Sequence, residues 1–439
     1  MSTQTTLKRV KNVLATYIDR VSSFHPNARL YLVSVILTGA ALGVFRLLFN
    51  FYILSQEYNE AFLGTLITTS SLAALLAALP MGYLVDRIGR KQALILGGLG
   101  ITLAVFGMIL FPSTPIFILM SVLLGLTQSL SGVAMGPFLM ENSDEKERTY
   151  LFSFSAGLQM ASAFFGNWIG GYLPTWMASW LGGSATSPSA YAWSLGAIAL
   201  AGILGVVPLF MLRSSRTTVE GRSVFAPLAY FTKNARQLSR LILPILVTSL
   251  GAGLVMPFIN VFYRNVHSQP DPVIGALFAW GSLAMGVGLL IAPPLAERYG
   301  KIQMVVLTQA FSIPFLIMMG FAPWFSISAL AYYVRLTLMN MSLPIYQTFV
   351  MERVDPSSRA TVASLASMAG NVGWAFSPQI SGWIQVHYGF SPAFGATLIL
   401  YVISIYLYWR FFWFRERPKK KVAEEQLGAT FNPRMHLKK

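Results

Sequence analysis

Twelve runs of the chain are long and apolar enough to cross a bilayer as helices, which takes about 20 residues each. They fall near 29–54, 59–85, 91–111, 115–140, 149–173, 190–212, 238–266, 271–296, 301–321, 324–351, 358–387 and 391–414. Hydrophobic residues make up 55 % of the sequence and charged residues only 11 %. A water-soluble globule carries about a quarter charged residues, so lipid is the main solvent. The fold class that follows is an all-α membrane protein.

The net charge of +16 invites a nucleic-acid reading, and the charge distribution argues against it. Of 32 Lys and Arg, all but Arg46, Arg264 and Arg335 fall in the tails or on alternate loops. That is the positive-inside bias that orients membrane proteins. An even number of spans returns both termini to the basic, cytoplasmic side. Residues 1–28 form a cytoplasmic N-terminal segment with no cleavable signal peptide in view. Its Leu7, Val10, Val13, Leu14, Tyr17, Ile18 and Val21 recur at helical spacing. The segment reads as a helix on the lipid surface or as a basic tail. Residues 213–237 form a cytoplasmic linker in which Val224, Phe225, Leu228 and Phe231 allow a second surface helix. The linker divides the spans six and six, into bundles at 29–212 and 238–414, and 415–439 is a cytoplasmic tail.

The two sixes are a repeat at a constant shift of 211 residues. Phe51-Tyr52 meets Phe262-Tyr263, and Gly64 meets Gly275. Asp86, Arg87 and Gly89 meet Glu297, Arg298 and Gly300. Glu141, Asp144 and Arg148 meet Glu352, Asp355 and Arg359, and Gly171 meets Gly382. Repeats with an even span count enter the membrane from the same side. The expected relation is a pseudo-twofold axis along the membrane normal, with a binding site between the bundles near the midplane.

The sharpest motif is Gly82-Tyr83-Leu84-Val85-Asp86-Arg87-Ile88-Gly89-Arg90-Lys91, between spans 2 and 3. At this point the chain resembles the major facilitator superfamily, whose loop pattern is Gly-x-Leu-x-Asp-Arg-x-Gly-Arg-Lys/Arg. Every fixed position is satisfied. The second copy departs, with Pro293 for the leading glycine and Glu297 for the aspartate. The resemblance implies a twelve-helix transporter that works by alternating access.

Span 11 is expected to begin near Pro356-Ser357-Ser358, and a helix start attracts an anion. Asp86 is the expected anion when the cytoplasmic side is closed. Gly82, Asp86, Arg87, Gly89, Arg90, Glu141 and Arg148 form the expected gating cluster. Glu297, Arg298, Glu352 and Arg359 form its twin. Solvated loop charges are the plainer alternative. Span 5 carries a worn form of the family's antiporter pattern, Gly166-Asn167-Trp168-Ile169-Gly170-Gly171, with asparagine for the proline. Small residues four apart also serve simple close packing of helices.

Ionisable groups inside a span are costly and mark function. Arg46 lies late in span 1 and Arg335 near the middle of span 10, and no Asp or Glu falls in the middle of any span. Two cations without a buried acidic partner suit a cargo that brings negative charge. Arg46 also has the option of snorkelling to the outer interface, and Arg335 that of a structural hydrogen-bonding role. Asn50, Gln128, Gln159, Asn260, Asn340 and Asn371 are the further polar candidates for substrate contact, with Trp280 and Trp374 as cavity walls. Each amide also suits a helix–helix hydrogen bond. Pro257, with Gly251 and Gly253, is expected to bend or break span 7.

The sequence has no Cys and four His, none paired at metal-ligand spacing. No nucleophile, metal or cofactor constellation appears, so an enzyme is not expected. The expected partners are a small-molecule substrate and membrane lipid, without nucleic acid, for a monomer in the cell membrane. The leading reading is a secondary transporter of a small organic solute, with an organic anion or anionic amphiphile preferred. A multidrug efflux antiporter and a non-transporting receptor or scaffold remain as alternatives.

Overall fold

The computed structural model describes residues 24–213, 234–354 and 359–415, and every element among them is helical. The surface helices expected within 7–21 and 224–231 lie outside the described residues. So do 356–358, where span 11 was expected to begin, and nearly all of the tail.

The first six long helices are α1 Pro26–Ser55, α2 Glu60–Ile88, α3 Arg90–Leu110, α4 Thr114–Glu141, α5 Glu145–Leu181 and α6 Pro188–Phe210. Span 7 is built from α7 Ala235–Val255, a 3-10 turn Met256–Phe258 and α8 Ile259–Asn265. The break expected at Pro257 is there, because proline has no N–H to continue the ladder and its ring crowds the preceding turn. Five helices follow: α9 Asp271–Tyr299, α10 Lys301–Phe321, α11 Phe325–Glu352, α12 Arg359–Tyr388 and α13 Phe390–Phe412. α5 runs well beyond the expected 149–173, through Pro174, to a left-handed Gly182 with φ 70°.

By length and composition, nine spans among the described residues can cross a membrane. The long helices below that mark are α5, α11 and α12. They carry Gln159 and Asn167, Arg335 and Asn340, and Asn371 and Gln379 within otherwise apolar runs.

The chain forms two compact units. One comprises Met1–Gly221 with Asn260–Leu283, the other Arg222–Ile259 with Ala284–Lys439. The division therefore does not follow the linker alone, since α8 and the first half of α9 pack with the first unit. In the first unit α1 packs on α5 and α6, and α3 packs on α4 and α6. In the second unit α7 packs on α12 and α13, and α10 packs on α11 and α13. The pairings are the same four, span for span. Each unit has its own buried core, around Val85, Leu94, Phe138 and Val206 in the first and Ile302, Ile345, Phe349 and Tyr408 in the second.

The span 5 glycines settle into close packing inside the first unit. A Cβ on Gly166 would stand 2.2 Å from the Ala40 carbonyl oxygen, and one on Gly43 would stand 2.9 Å from that of Ala163. In the second unit a Cβ on Gly373 would stand 2.1 Å from the Ser249 carbonyl carbon. Backbones this close leave no room for a side chain. Gly166→Ala should therefore lower the melting temperature, since overpacking a contact that cannot yield costs about 1–3 kcal/mol. Gly132→Ala, whose Cβ would meet nothing within 4 Å, should hold or raise it. Thermal unfolding of both variants in detergent checks the contrast.

Candidate functional site

The sequence motif is a one-residue connection. α2 ends and α3 begins at Gly89, whose φ of 89° is open to glycine and strained for other residues. Its N–H donates to the Val85 carbonyl at 2.9 Å, closing α2. Arg90, the first residue of α3, is 7 % exposed and folds back over the turn. Its Nη2 lies 3.2 Å from Asp86 Oδ1, and its Nε lies 3.0 Å from Oε1 of Glu141, the last residue of α4. The Nε–H is not aligned for a hydrogen bond, so the Glu141 contact is ionic. Lys91 acts elsewhere. Its Nζ donates to the carbonyls of Phe210 and Leu212, at 2.7 and 2.6 Å, and caps the C-terminal end of α6.

The second copy repeats the construction with weaker chemistry. Gly300 joins α9 to α10 with φ 95°, and its N–H donates to the Ala296 carbonyl at 2.9 Å. Lys301, the first residue of α10, pairs with Glu352, the last residue of α11. Lys301 and Glu352 sit 211 residues beyond Arg90 and Glu141. The cation that holds the acid in each copy is thus the base after the glycine. Arg87 and Arg298 are exposed, with the Arg298 guanidinium 5.3 Å from the Tyr299 ring centre. Arg148 is partly buried, and its Nε has no hydrogen-bond partner among the described residues. Glu297 is exposed, and Gly82 is only loosely enclosed. Arg359 opens α12. The expected anchoring of Asp86 at the span 11 start falls on residues outside those described.

A second polar cluster lies at the opposite end of the first unit. Tyr191 of α6 donates its hydroxyl hydrogen to Asp271 Oδ2 at 2.7 Å, and Arg264 Nη2 donates to the Tyr191 hydroxyl at 2.6 Å. Arg264 also forms an ion pair with Asp271, and its guanidinium lies 3.3 Å from the Phe51 ring centre. Glycine lets α5 reach this point, for a Cβ on Gly171 would stand 2.8 Å from the Asp271 carbonyl oxygen. Asn50 Nδ2 donates to Asn260 Oδ1 at 2.8 Å, and Asn260 Nδ2 donates to the Leu47 carbonyl at 2.8 Å. These two substrate candidates hold each other in this conformation.

The other interior candidates divide by exposure. Arg46, Gln159, Trp280, Asn371 and Trp374 are exposed, while Arg335 is buried. Trp280 packs against Phe164 and Trp168, with ring centres 5.6 and 6.1 Å away. Arg335 directs Nη1 toward Met256 Sδ, 3.8 Å away in the 3-10 break, and lies 5.2 Å from the Tyr401 ring centre. Its Nε and Nη2 are buried with no hydrogen-bond partner among the described residues.

Sequence reasoning placed Lys91 and Lys301 in the repeated motif without giving them partners, and it missed the Tyr191–Arg264–Asp271 cluster. The repeat shift places Lys301 opposite Arg90, so that signal was present. Arg264 and Asp271 are opposite charges flanking one short turn. The role of Lys91 depends on where the end of α6 arrives, which no local pattern records.

The exposures set an order for the inner pairs. The Glu141 side chain is 20 % exposed against Arg90 at 7 %, whereas the Glu352 side chain is 55 % exposed against Lys301 at 29 %. An exposed pair contributes about 0–1 kcal/mol, and the loss grows toward about 3–5 kcal/mol as a pair becomes fully buried, so the half-buried Arg90–Glu141 pair matters more than Lys301–Glu352. Glu141→Gln should lower both the melting temperature and solute flux in proteoliposomes. Glu352→Gln should change them little.

The family description "Major Facilitator Superfamily" matches residues 31–378, and again 241–438. The multidrug resistance protein MdtG of Proteus mirabilis is 23 % identical over 404 residues, covering 89 % of this chain and 96 % of that protein. The crystal structure of the nucleoside transporter NupG aligns with a TM-score of 0.70 at 14 % identity, covering 89 % of this chain and 100 % of that one. That of a D-xylose–proton symporter aligns with a TM-score of 0.70 at 12 % identity, covering 90 % and 98 %. With its repeated six-span units, paired glycine turns and matching sequence, this multi-pass membrane protein belongs to the major facilitator superfamily of transporters.

Proposed function

We propose that the chain is a secondary transporter moving small organic solutes by alternating access, with organic anions and anionic amphiphiles as preferred cargo. The observation that carries the charge preference is Arg335, which is 2 % exposed. A buried, uncompensated charge costs several kcal/mol. Nε and Nη2 together form one edge of the guanidinium fork, the geometry that receives a carboxylate through two parallel hydrogen bonds. Both are unpaired among the described residues. The edge is covered in this conformation, so cargo would reach it only after its surroundings shift. Met256 lies in the 3-10 break of span 7, beside the covered edge. The exposed Arg46, Gln159, Asn371, Trp280 and Trp374 are proposed to extend the contact surface. Asn50 and Asn260 would join once they part.

A second reading is multidrug efflux, favoured by the name of the Proteus mirabilis relative. The two readings differ in whether cargo charge matters. In either, we propose a monomer in the cell membrane, with both termini on the cytoplasmic side as the distribution of Lys and Arg suggests. Absence of flux from proteoliposomes across anionic, neutral and cationic solutes would favour the receptor or scaffold reading.

Arg335→Ala should weaken binding of organic anions by at least about tenfold, as expected for a lost charge-assisted bidentate contact. Neutral solutes should lose little, and Arg335→Lys should restore only part of the loss, since an ammonium lacks the planar fork. Competition binding to the purified protein measures all three. Equal losses for anionic and neutral solutes would remove the charge preference.

A further inference from the structure

The second unit contains a basic pocket that the transport reading does not use. It has a volume of about 450 Å³ and is lined by Arg236, Gln237, Arg240, Leu241, Arg353 and Phe412. Three helix ends meet there: the start of α7, the end of α11 and the end of α13. Arg236 and Arg240 are one helical turn apart, so both project to the same side of α7. Neither forms an ion pair among the described residues, and no carboxylate is among the lining residues. The neighbouring acid, Glu352, is engaged by Lys301.

The third guanidinium is held in place. Arg353 lies with its Cζ 3.5 Å from the Phe349 ring centre, and Phe349 packs edge-on to Phe412 at 5.1 Å. Gln237 Nε2 donates to the Arg353 carbonyl at 3.3 Å, tying the first turn of α7 to the end of α11. Leu241 and Phe412, 2 % and 7 % exposed, supply an apolar floor beneath the charges. The result is a positive rim over apolar surface at the level where three spans end.

The first repeat shows the alternative. The positions 211 residues earlier than Arg236, Arg240 and Arg353 are His25, Arg29 and Asn142. There the side chains are spent internally. His25 Nδ1 accepts from the Asn27 N–H at 3.3 Å, and Arg29 Nε donates to the Phe24 carbonyl at 2.9 Å. Asn142 Oδ1 accepts from Asn27 at 2.9 Å, and Asn27 also bonds the backbone of Arg213. Among the described residues, the cavity at the matching place in the first repeat is lined by one cation, Arg29, against three in the second.

We propose that this pocket binds a phosphate group, supplied by the headgroup of an anionic phospholipid in the cytoplasmic leaflet. Guanidinium forks match phosphate oxygens in pairs. Basic pockets between membrane helices on this side recruit anionic headgroups. The depth of the pocket, at the ends of the spans, favours a lipid over a soluble phosphate, and the apolar floor suits the start of an acyl chain.

The test uses the full-length protein in vesicles of phosphatidylcholine, with and without phosphatidylglycerol, and reads the thermal midpoint. A ligand bound to the folded state raises it. The wild type should be stabilised by phosphatidylglycerol. Each arginine removed should weaken that lipid's binding about fivefold, so Arg236→Gln with Arg240→Gln should abolish the added stability. The double lysine variant keeps the charges and should retain part of it, which separates loss of binding from loss of folding. Arg410→Gln, on the exposed end of α13 outside the pocket, should behave as wild type and controls for nonspecific attraction to a basic protein. A second arm adds inorganic phosphate to protein in neutral detergent at fixed ionic strength. Stabilisation there that the double glutamine variant lacks would support the phosphate site and assign it to a soluble ligand. No phosphatidylglycerol effect and no phosphate effect on the wild type, or equal effects in the double glutamine variant, overturn the proposal.

Discussion

A buried guanidinium held by two carboxylates across a one-glycine turn fixes the inner end of the first unit. Gly89 leaves no slack between α2 and α3, so Arg90 must sit against the end of α2. From there its charge binds the last turn of α2, through Asp86, to the last residue of α4, through Glu141. Lys91 carries the same constraint to the end of α6. Four helices are thereby registered at one point by two adjacent bases. The leading glycine, Gly82, has no comparable demand on it, since a Cβ there would meet only Val133, at 3.8 Å. The fixed residues of the motif are not all fixed for the same reason.

The remaining polar groups follow from the expense of leaving them unpaired in lipid. Asn50 and Asn260 pair with each other, Asn27 pairs with Asn142 and the Arg213 backbone, and Arg264 engages Asp271, Tyr191 and Phe51. Against this economy Arg335 stands out. Asn167 Oδ1 and Gln385 Oε1 each leave a single buried amide oxygen without a partner among the described residues, whereas Arg335 leaves two donors, Nε and Nη2, on one edge of a charged group. Its neighbour Met256 sits in the 3-10 break of span 7. A flexible thioether against an unpaired fork leaves a place for a third party, whereas a carboxylate would have sealed it.

Much of this was legible in the sequence because the strongest signals are local. Apolar runs of membrane length, the Pro257 break and the glycine turns each depend on a few consecutive residues. The repeat was legible because the same local signals recur at one shift. Side-chain partnerships were not. Asp86, Arg87, Glu141 and Arg148 read as one cluster, yet the pairing runs through Arg90, which the helix start turns inward while Arg87 faces out. Asn50 and Asn260 read as cargo contacts because a lone amide in a span gives no hint of its partner 210 residues away. α5 was underestimated at its C-terminal end, where the helix continues through Pro174 to Leu181.

The two repeats agree where backbone geometry is at stake and diverge where side chains meet something outside the bundle. Gly89 and Gly300 share a positive φ, and the same four helix pairings recur in each unit. Arg90 has become Lys301, with its partner acid moved from 20 % to 55 % exposure. Asn142, locked into an amide clamp, has become Arg353, poised over a cavity. A duplicated scaffold needs its turns and close crossings in both copies, because each copy buries its own core. It needs a tight ionic lock or a basic pocket only where a moving part or an external ligand acts. The repeat therefore offers an internal control: a feature shared by both copies belongs to folding, and one confined to a single copy points to work done by that copy alone.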